Sequence, residues 1–317
     1  MTYQPADIPD DLTILPNLPG WITSGRAETL ETVAFRSGAA LTVLDQLVSD
    51  PRHSVPVKLL ANRLALSAAT AASKLEGRLA RETDIRDAYH LTPPSEARGP
   101  DGDLLVFWRE GARLRVGRTS EIADLVSVDF ADDVGVGLDA GLNRVGTHGP
   151  VAGCVAVLQA VLEIDDRAER TACLLSDVVL ARALNWKQVL PVTARRLTKS
   201  VLRDLTAKGQ EAELAVQVRI LESIEETMWL ARDLARRAEA LRTVAPKLRA
   251  KGSRAAVDLF LTEDAVAPAS MLSPCIRGTS IPMTDRAARR FCDRLVELGV
   301  ARELTGRPTF RLYGLIP

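Results

Sequence analysis

"TDRAARRFCDRLVELGVARELTGRPTFRLYG", residues 284 to 314, reads as an arginine-rich helix followed by two short strands joined at a Thr-Gly-Arg-Pro turn. Thr284 stands where a helix N-cap belongs, because its hydroxyl can satisfy one of the first free backbone N–H groups. Ala287, Ala288, Phe291, Leu295 and Leu298 recur at helical spacing as an inner stripe, which leaves Arg286, Arg289, Arg290 and Arg294 pointing largely outward. Gly299 ends the helix, since glycine reaches the left-handed conformation without steric cost. "VARELTGRPTFRLYG" then alternates as a hairpin, with Gly306 supplying its turn. Upstream, "SRAAVDLFLTED" makes a helix that buries Ala256, Val257, Leu259, Phe260 and Leu261.

Helix, helix, two-stranded ribbon is an order that resembles a winged helix-turn-helix, and "RLVELGVARELTGRPTFRLYG" is similar to that family's recognition helix and wing. The resemblance implies a helix able to enter a DNA major groove, with Arg307 and Thr309 of the wing at the phosphates. Winged helices also serve as protein-docking and dimer modules, so that reading stays open. The connector from Glu263 to Met283, with Pro268, Pro274 and Pro282, is longer and richer in proline than a tight helix-turn-helix needs, and the position of the second helix stays open with it. Just before this unit, "RRAEALRTVAPKLRAKGSR", residues 236 to 254, sets seven basic residues against the single acid Glu239. Its Lys247, Arg249, Lys251 and Arg254, together with Arg286, Arg289, Arg290 and Arg294, are candidate phosphate contacts. Lys251, Gly252 and Ser253 read as a boundary, with Ser253 as a helix cap.

Over the 317 residues, 41 Lys and Arg balance 41 Asp and Glu, so the molecule as a whole exerts no long-range pull on a polyanion and a nucleic-acid site must be a local patch. Hydrophobic residues make up 46% of the chain but aromatics only 4%, which favours packed helices over aromatic-rich strands. Cys154, Cys173, Cys275 and Cys292 have no C-x-x-C spacing and read as buried free thiols in a reducing cytosol. "MTYQPADIPDDLTILPNLPGW" is acidic and proline-punctuated, so neither a signal peptide nor a membrane span is expected, and a cytoplasmic protein is.

Residues 1 to 26 read as an extended arm lying on the body through Ile14, Leu15 and Trp21. Helical spacing is clear from Ala27 to Val48 and from Val57 to Arg81, where the alanines of "LALSAATAASKLEG" let neighbours approach closely. Thr83 or Asp84 can cap a short helix ending near His90. "LTPPSEARGPDGD" reads as a surface loop before the short apolar helix "LLVFWREGARLRV". Residues 117 to 149, with Gly117, Gly135, Gly137, Gly141 and Gly146, have weak periodicity. "PVAGCVAVLQAVLEI" is apolar nearly all round and belongs at the centre of the core. "RAERTACLLSDVVLARAL" follows Asp165 and Asp166, a further helix starts after Pro191, and Gln210 to Val244 is one long amphipathic helix.

Chemistry-bearing motifs are scarce. There is no Gly-rich phosphate loop, H-E-x-x-H or G-x-S-x-G, and His53 and His90 read as loop or surface residues. "HGPVAGCVAVLQ", from His148, is similar in placement to the Fic signature, and "ASKLEG", residues 72 to 77, resembles the helix found N-terminal to many Fic domains. At the matching positions stand Ala152 for the metal-binding acid, Cys154 for Asn, Val155 for Gly, and Ala156 and Gln159 for the two arginines. The resemblance therefore implies a catalytically empty relative with nothing to cradle phosphates or hold Mg²⁺; chance similarity in an Ala-rich helix is the alternative. The acid pairs Asp132-Asp133 and Asp165-Asp166 read as helix caps, and Arg195-Arg196 and Arg236-Arg237 as solvated faces.

Taken whole, the chain resembles the bacterial family called domain of unknown function 1403, through "VAFRSGAALTVLDQLV", "NRLALSAATAASKLEGRLARETDIRDAYHL", "LARRAEALRTVAPKLRAKGSRAAVDLFLTEDAVAP" and the opening stretch. That resemblance implies no activity, cofactor or catalytic residue. The expected architecture is mainly α: an arm (1–26), a bundle-like helical body (27–251) and a small winged helix-turn-helix domain (252–317). The expected function is binding of double-stranded DNA, as a regulatory or replicon-associated protein, with Arg286, Arg289 or Arg290 at base edges and affinity raised by homodimerisation through helix 210 to 244. The alternatives are a non-catalytic scaffold that docks a protein partner, built on a degenerate Fic-like platform, and an enzyme with a site in residues 117 to 149.

Overall fold

A computed structural model describes residues 15–93, 95–126, 133–207, 209–248 and 251–315. Positions 1–14, with Ile14, and the candidate contact Arg249 lie outside the described residues, as does Asp132. The chain is mainly helical, with α1 (Gly20–Thr23), α2 (Leu30–Ser49), α3 (Val57–Leu75), α4 (Glu82–Leu91), α5 (Gly99–Arg113), α6 (Thr119–Leu125), α7 (Val134–His148), α8 (Pro150–Ile164), α9 (Glu169–Ala183), α10 (Lys199–Leu205), α11 (Gln210–Val244), α12 (Ser253–Phe260) and α13 (Asp285–Glu297). Two strands follow, β1 (Ala301–Glu303) and β2 (Tyr313–Leu315). Among the described residues, no helix is long and apolar enough to cross a membrane.

Several helix ends differ from the expected ones for identifiable reasons. α2 starts three residues later than its apolar spacing suggested, because Thr29 and Thr32 form a reciprocal capping box. α3 stops at Leu75, ahead of Gly77 in the left-handed region. In α4 the cap position is Arg81, and Asp84 serves it from the first turn by accepting the Arg81 backbone N–H. The expected loop before α5 is partly helix, since Pro100 occupies the first turn, where its missing N–H costs nothing. Ser253 makes no side-chain cap; Gly252 holds that position at φ 83°.

Residues 117 to 149 contain α6 and α7, which periodicity did not reveal. Two of the glycines there, Gly137 and Gly141, are contact points, as is Gly153 of α8, whereas Gly117, Gly135 and Gly146 have open space around them. A Cβ on Gly141 would lie 2.4 Å from Val157, and one on Gly153 would lie 2.4 Å from Val145 and 2.9 Å from the Gly141 carbonyl oxygen. α7 and α8 thus cross with backbones nearly touching, and α9 closes the layer against both. α8 and α9 are buried along most of their length. Inside this layer the Ser176 hydroxyl donates to the Cys154 carbonyl at 3.0 Å, and Asp177 accepts the backbone N–H groups of Val192 and Thr193, both at 2.9 Å. Burial pushes the Asp177 carboxyl up to about 7, against the pull of those two N–H bonds.

α11 packs along α2, where Arg36 clasps Glu225 with two hydrogen bonds, and also touches α3, α8 and α10. α3 carries buried Ala61, Ala65, Ala68, Ala69 and Ala72, and α5 packs closely against it. Of the arm, Leu18 is buried and Leu15 packs against the core, but Trp21 does not enter the body: it is 69% exposed and leans on the equally outward Phe35, ring centroids 6.1 Å apart. Cys154, Cys173 and Cys292 are buried free thiols, whereas Cys275 is exposed. Arg195 is not a solvated side chain, for it reaches Ser67, the Ser223 carbonyl and Thr227.

Candidate functional site

The residues singled out for nucleic-acid contact lie on and around α13. Thr284 accepts the Ala287 backbone N–H at 3.3 Å and so starts the helix, and Gly299 at φ 71° ends it. Ala288, Phe291, Cys292 and Leu295 are buried, with Phe291 tilted against Phe260 of α12. Beyond α13, β1 and β2 pair antiparallel with Ala301 opposite Leu315 and Glu303 opposite Tyr313. On its other side Tyr313 exchanges backbone hydrogen bonds with Val266, so β2 runs between β1 and the segment after α12. Gly314 is required there, since a Cβ would lie 2.8 Å from the Asp264 carbonyl oxygen. Glu303 accepts the backbone N–H groups of Thr305 at 2.8 Å and Gly306 at 2.7 Å and so shapes the turn, with Gly306 at φ 63°. Although burial opposes it, the Thr305 hydroxyl and then these two N–H groups hold the Glu303 carboxyl below its ordinary range.

The arginines divide into two groups. Arg289 pairs with Asp285 at 2.6 Å, Arg294 with Glu297 at 2.8 Å, and Arg307 reaches across to Asp87 of α4 at 3.3 Å. Arg286 and Arg290 are exposed and, among the described residues, form no ion pair. They lie one turn apart on the same side of α13. Lys247, Lys251 and Arg254 are likewise exposed and unpaired among the described residues. A Cβ on Gly252 would touch Ile276 and Ile281, which seats the Lys251–Arg254 corner against the segment leading into α13. Thr309 and Phe310 are exposed at the tip of the loop between the strands.

Behind this surface lies a buried ionic cluster that sequence reading missed. Arg109 of α5 is 1% exposed; its Nη1 donates to Glu263 at 2.9 Å and its Nη2 to Asp264. His90, read from the sequence as a loop or surface residue, has its side chain buried with Nε2 3.2 Å from the same Asp264 carboxylate. Burial works against the charge on Asp264, but Arg109 and then His90 outweigh it and hold the carboxyl below the usual carboxylate range. The Arg109 guanidinium also lies over the Tyr89 ring at 4.5 Å. Around the cluster, Asn62 donates to the Thr262 carbonyl, Arg63 to that of Leu315 and Arg86 to that of Leu304. The segment after residue 260 is thereby tied to α3, α4 and α5 by polar bonds. The signal available in sequence was an arginine inside the apolar helix "LLVFWREGARLRV".

A second region singled out from the sequence surrounds His148. A cavity of about 790 Å³ opens where the starts of α2, α8 and α11 meet the end of α10. His148, Ala152 and Gln159 line it together with Arg144, Glu31 and Glu213. Arg144 stands 3.6 Å from Glu213, which also accepts from Gln217, so charges of both signs offset one another. Cys154 does not face this space; it is fully buried, its thiol aimed at the Ser176 carbonyl and pushed up by burial. Among the described residues, no three His, Cys, Asp or Glu side chains are placed to hold a metal ion.

A family model described as "Protein of unknown function (DUF1403)" matches residues 6–315. No curated protein matches the chain.

Proposed function

The chain belongs to that family of proteins of unknown function, and from this premise we propose that it binds double-stranded DNA through residues 252 to 317, used as a winged helix. The observation that carries the reading is the pair Arg286 and Arg290, exposed and free of acids among the described residues on the face of α13 opposite its buried stripe. A helix so placed can lie in a major groove with two guanidinium groups toward base edges. Element order supports the reading. α12, the Val266 segment, a short turn at Pro268–Leu272, α13, β1, a loop and β2 follow one another, with β2 central in the ribbon. The turn Pro268–Leu272 stands where the second helix of such a unit belongs. Lys247, Lys251 and Arg254 supply phosphate contacts beside α13, and Thr309 supplies one from the loop tip. Dimerisation through the outer face of α11, where Trp229 is exposed under Arg232, doubles those contacts.

The test is fluorescence anisotropy of the full-length protein with labelled mixed-sequence duplex over a salt series. Three phosphates neutralised by cations give a slope of log affinity against log salt of roughly −3 for each bound protomer. Arg286→Ala with Arg290→Ala weakens binding and lowers sequence preference. Absence of salt-dependent binding at low ionic strength refutes the proposal.

A second reading is favoured by the acids paired with Arg289, Arg294 and Arg307, which spend three of the candidate cations inside the molecule. It makes the chain a non-catalytic scaffold that docks a protein partner on the same surface, with the cavity at His148 as the remnant of a Fic-like platform. In that case the double arginine variant leaves duplex affinity at background and disrupts an oligomer or complex.

A further inference from the structure

A cleft of about 390 Å³ lies far along the chain from the surface described above, between the turn after α5 and the turn after α9. Its lining holds Arg115, Val116 and Gly117 on one side and Arg182, Asn185, Trp186 and Lys187 on the other. Three of these carry positive charge and none carries negative charge.

The cationic side chains are unmatched. Among the described residues Arg115, Arg182 and Lys187 form no ion pair, although acids stand close by. Glu121 is committed to Arg118 at 3.1 Å and to the Arg115 backbone N–H, and Asp139 acts on Arg182 from beyond contact distance. Arg182 is braced from behind, its Nε donating to the Val116 carbonyl at 2.8 Å and its Nη2 to Thr119 at 3.3 Å. That bracing joins the two walls and fixes one guanidinium without using its Nη1.

Asn185, in the left-handed conformation at φ 52°, turns the chain sharply after α9, so that Trp186 goes inward to Asp45 while Lys187 stays outside.

Cations at helix C-termini have a structural explanation, since each terminus carries about half a negative charge. The ends of α5 and α9 both lie at this cleft, and together they offset about one of the three positive charges. With Asp139 counted as well, an excess of between about one and two remains, of the sign and order that a phosphate group answers near neutral pH. We propose that this cleft is a binding site for a phosphate group, either free phosphate or a small phosphorylated molecule. Arg182 is the fixed donor, and Arg115 and Lys187 close on the anion from the two turns.

Isothermal titration calorimetry of the full-length protein at constant ionic strength tests it, with inorganic phosphate in one arm and adenosine monophosphate in the other. Saturable one-to-one binding in either arm is expected, weakened about tenfold or more in Arg115→Ala with Lys187→Ala and unchanged in Arg286→Ala with Arg290→Ala. Tighter binding of the nucleotide identifies a phosphorylated small molecule; tighter binding of phosphate identifies the free ion. Both surface variants leave Arg182 and its bracing intact, and circular dichroism verifies their fold. No saturable binding in either arm, binding that survives the Arg115 and Lys187 change, or binding lost only in the α13 variant overturns the assignment.

Discussion

Replacing Arg109 with methionine removes the cation that holds two buried carboxylates at the seam between α5 and the segment after α12. Methionine keeps the length and apolar stem of the side chain, so the packing change is small and the effect is electrostatic. Glu263 and Asp264 are 8% and 5% exposed, and water cannot replace the lost partner. Removing one member of a buried ion pair costs about 3–5 kcal/mol. Arg63 and His90 still act on Asp264, which places this case near the lower end, about 3 kcal/mol. With a urea dependence of about 3 kcal/mol per molar, the unfolding midpoint falls by about 1 M. Adding Glu263→Gln and Asp264→Asn to the methionine variant removes the stranded charges and restores about half of that loss. The pH dependence follows from the depressed Asp264 value. Its stabilising contribution is full above the unfolded carboxylate value of about 4 and is lost as pH falls through and below it. The cost of Arg109→Met is therefore full above about pH 4, and the stability difference between the two proteins narrows as pH falls below it. A loss below about 1 kcal/mol, or a triple variant no more stable than the single one, refutes the cluster as the tie between these parts.

Asp177 gives the opposite pH signature. Its folded value, pushed up to about 7, lies above the unfolded one, so its contribution to stability falls as pH rises between about 4 and 7, by about 4 kcal/mol at most. Asp177→Asn flattens that slope in chemical unfolding from pH 5 to pH 8, and parallel curves for the two proteins refute it. Gly153→Ala destabilises by about 1–3 kcal/mol despite alanine's better helix propensity, because the new methyl meets the Gly141 carbonyl as well as Val145; an unchanged melting temperature refutes the close crossing. Thr284→Ala costs about 1 kcal/mol of stability and Thr284→Ser much less, read from urea midpoints, if the hydroxyl bond to Ala287 is what starts α13.

Helices with strong periodicity were legible in advance. α8 reads from its apolar run, α11 from apolar residues at helical spacing along its length, and α13 from Thr284, its stripe and Gly299. α7 was not, because glycine at 137 and 141 contributes no apolar signal while serving as packing surface against Val161 and Val157, and α6, seven residues long with only Ile122 buried, is too short to show a period. The outward direction of Arg286 and Arg290 followed from the stripe behind them. Whether each arginine was free did not, since Arg307 is engaged by an acid on α4, far away in sequence. His90 was misread for the same reason: its partner Asp264 lies 174 positions along the chain.

Local chemistry, written in the sequence itself, determined the helical class, the starts and stops of the best-marked helices, and the placement of a basic stretch beside an arginine-bearing helix. These depend on residues three or four positions apart, which meet whatever the rest of the chain does. Tertiary structure alone decided which charges are spent and which are left over. It paired Arg109 with Glu263 and Asp264 in the interior, left Arg286 and Arg290 without acids among the described residues, and gathered Arg115, Arg182 and Lys187 into one cleft. Charge interactions act through space with a strength set by burial, and neither distance nor burial is encoded by position along the chain.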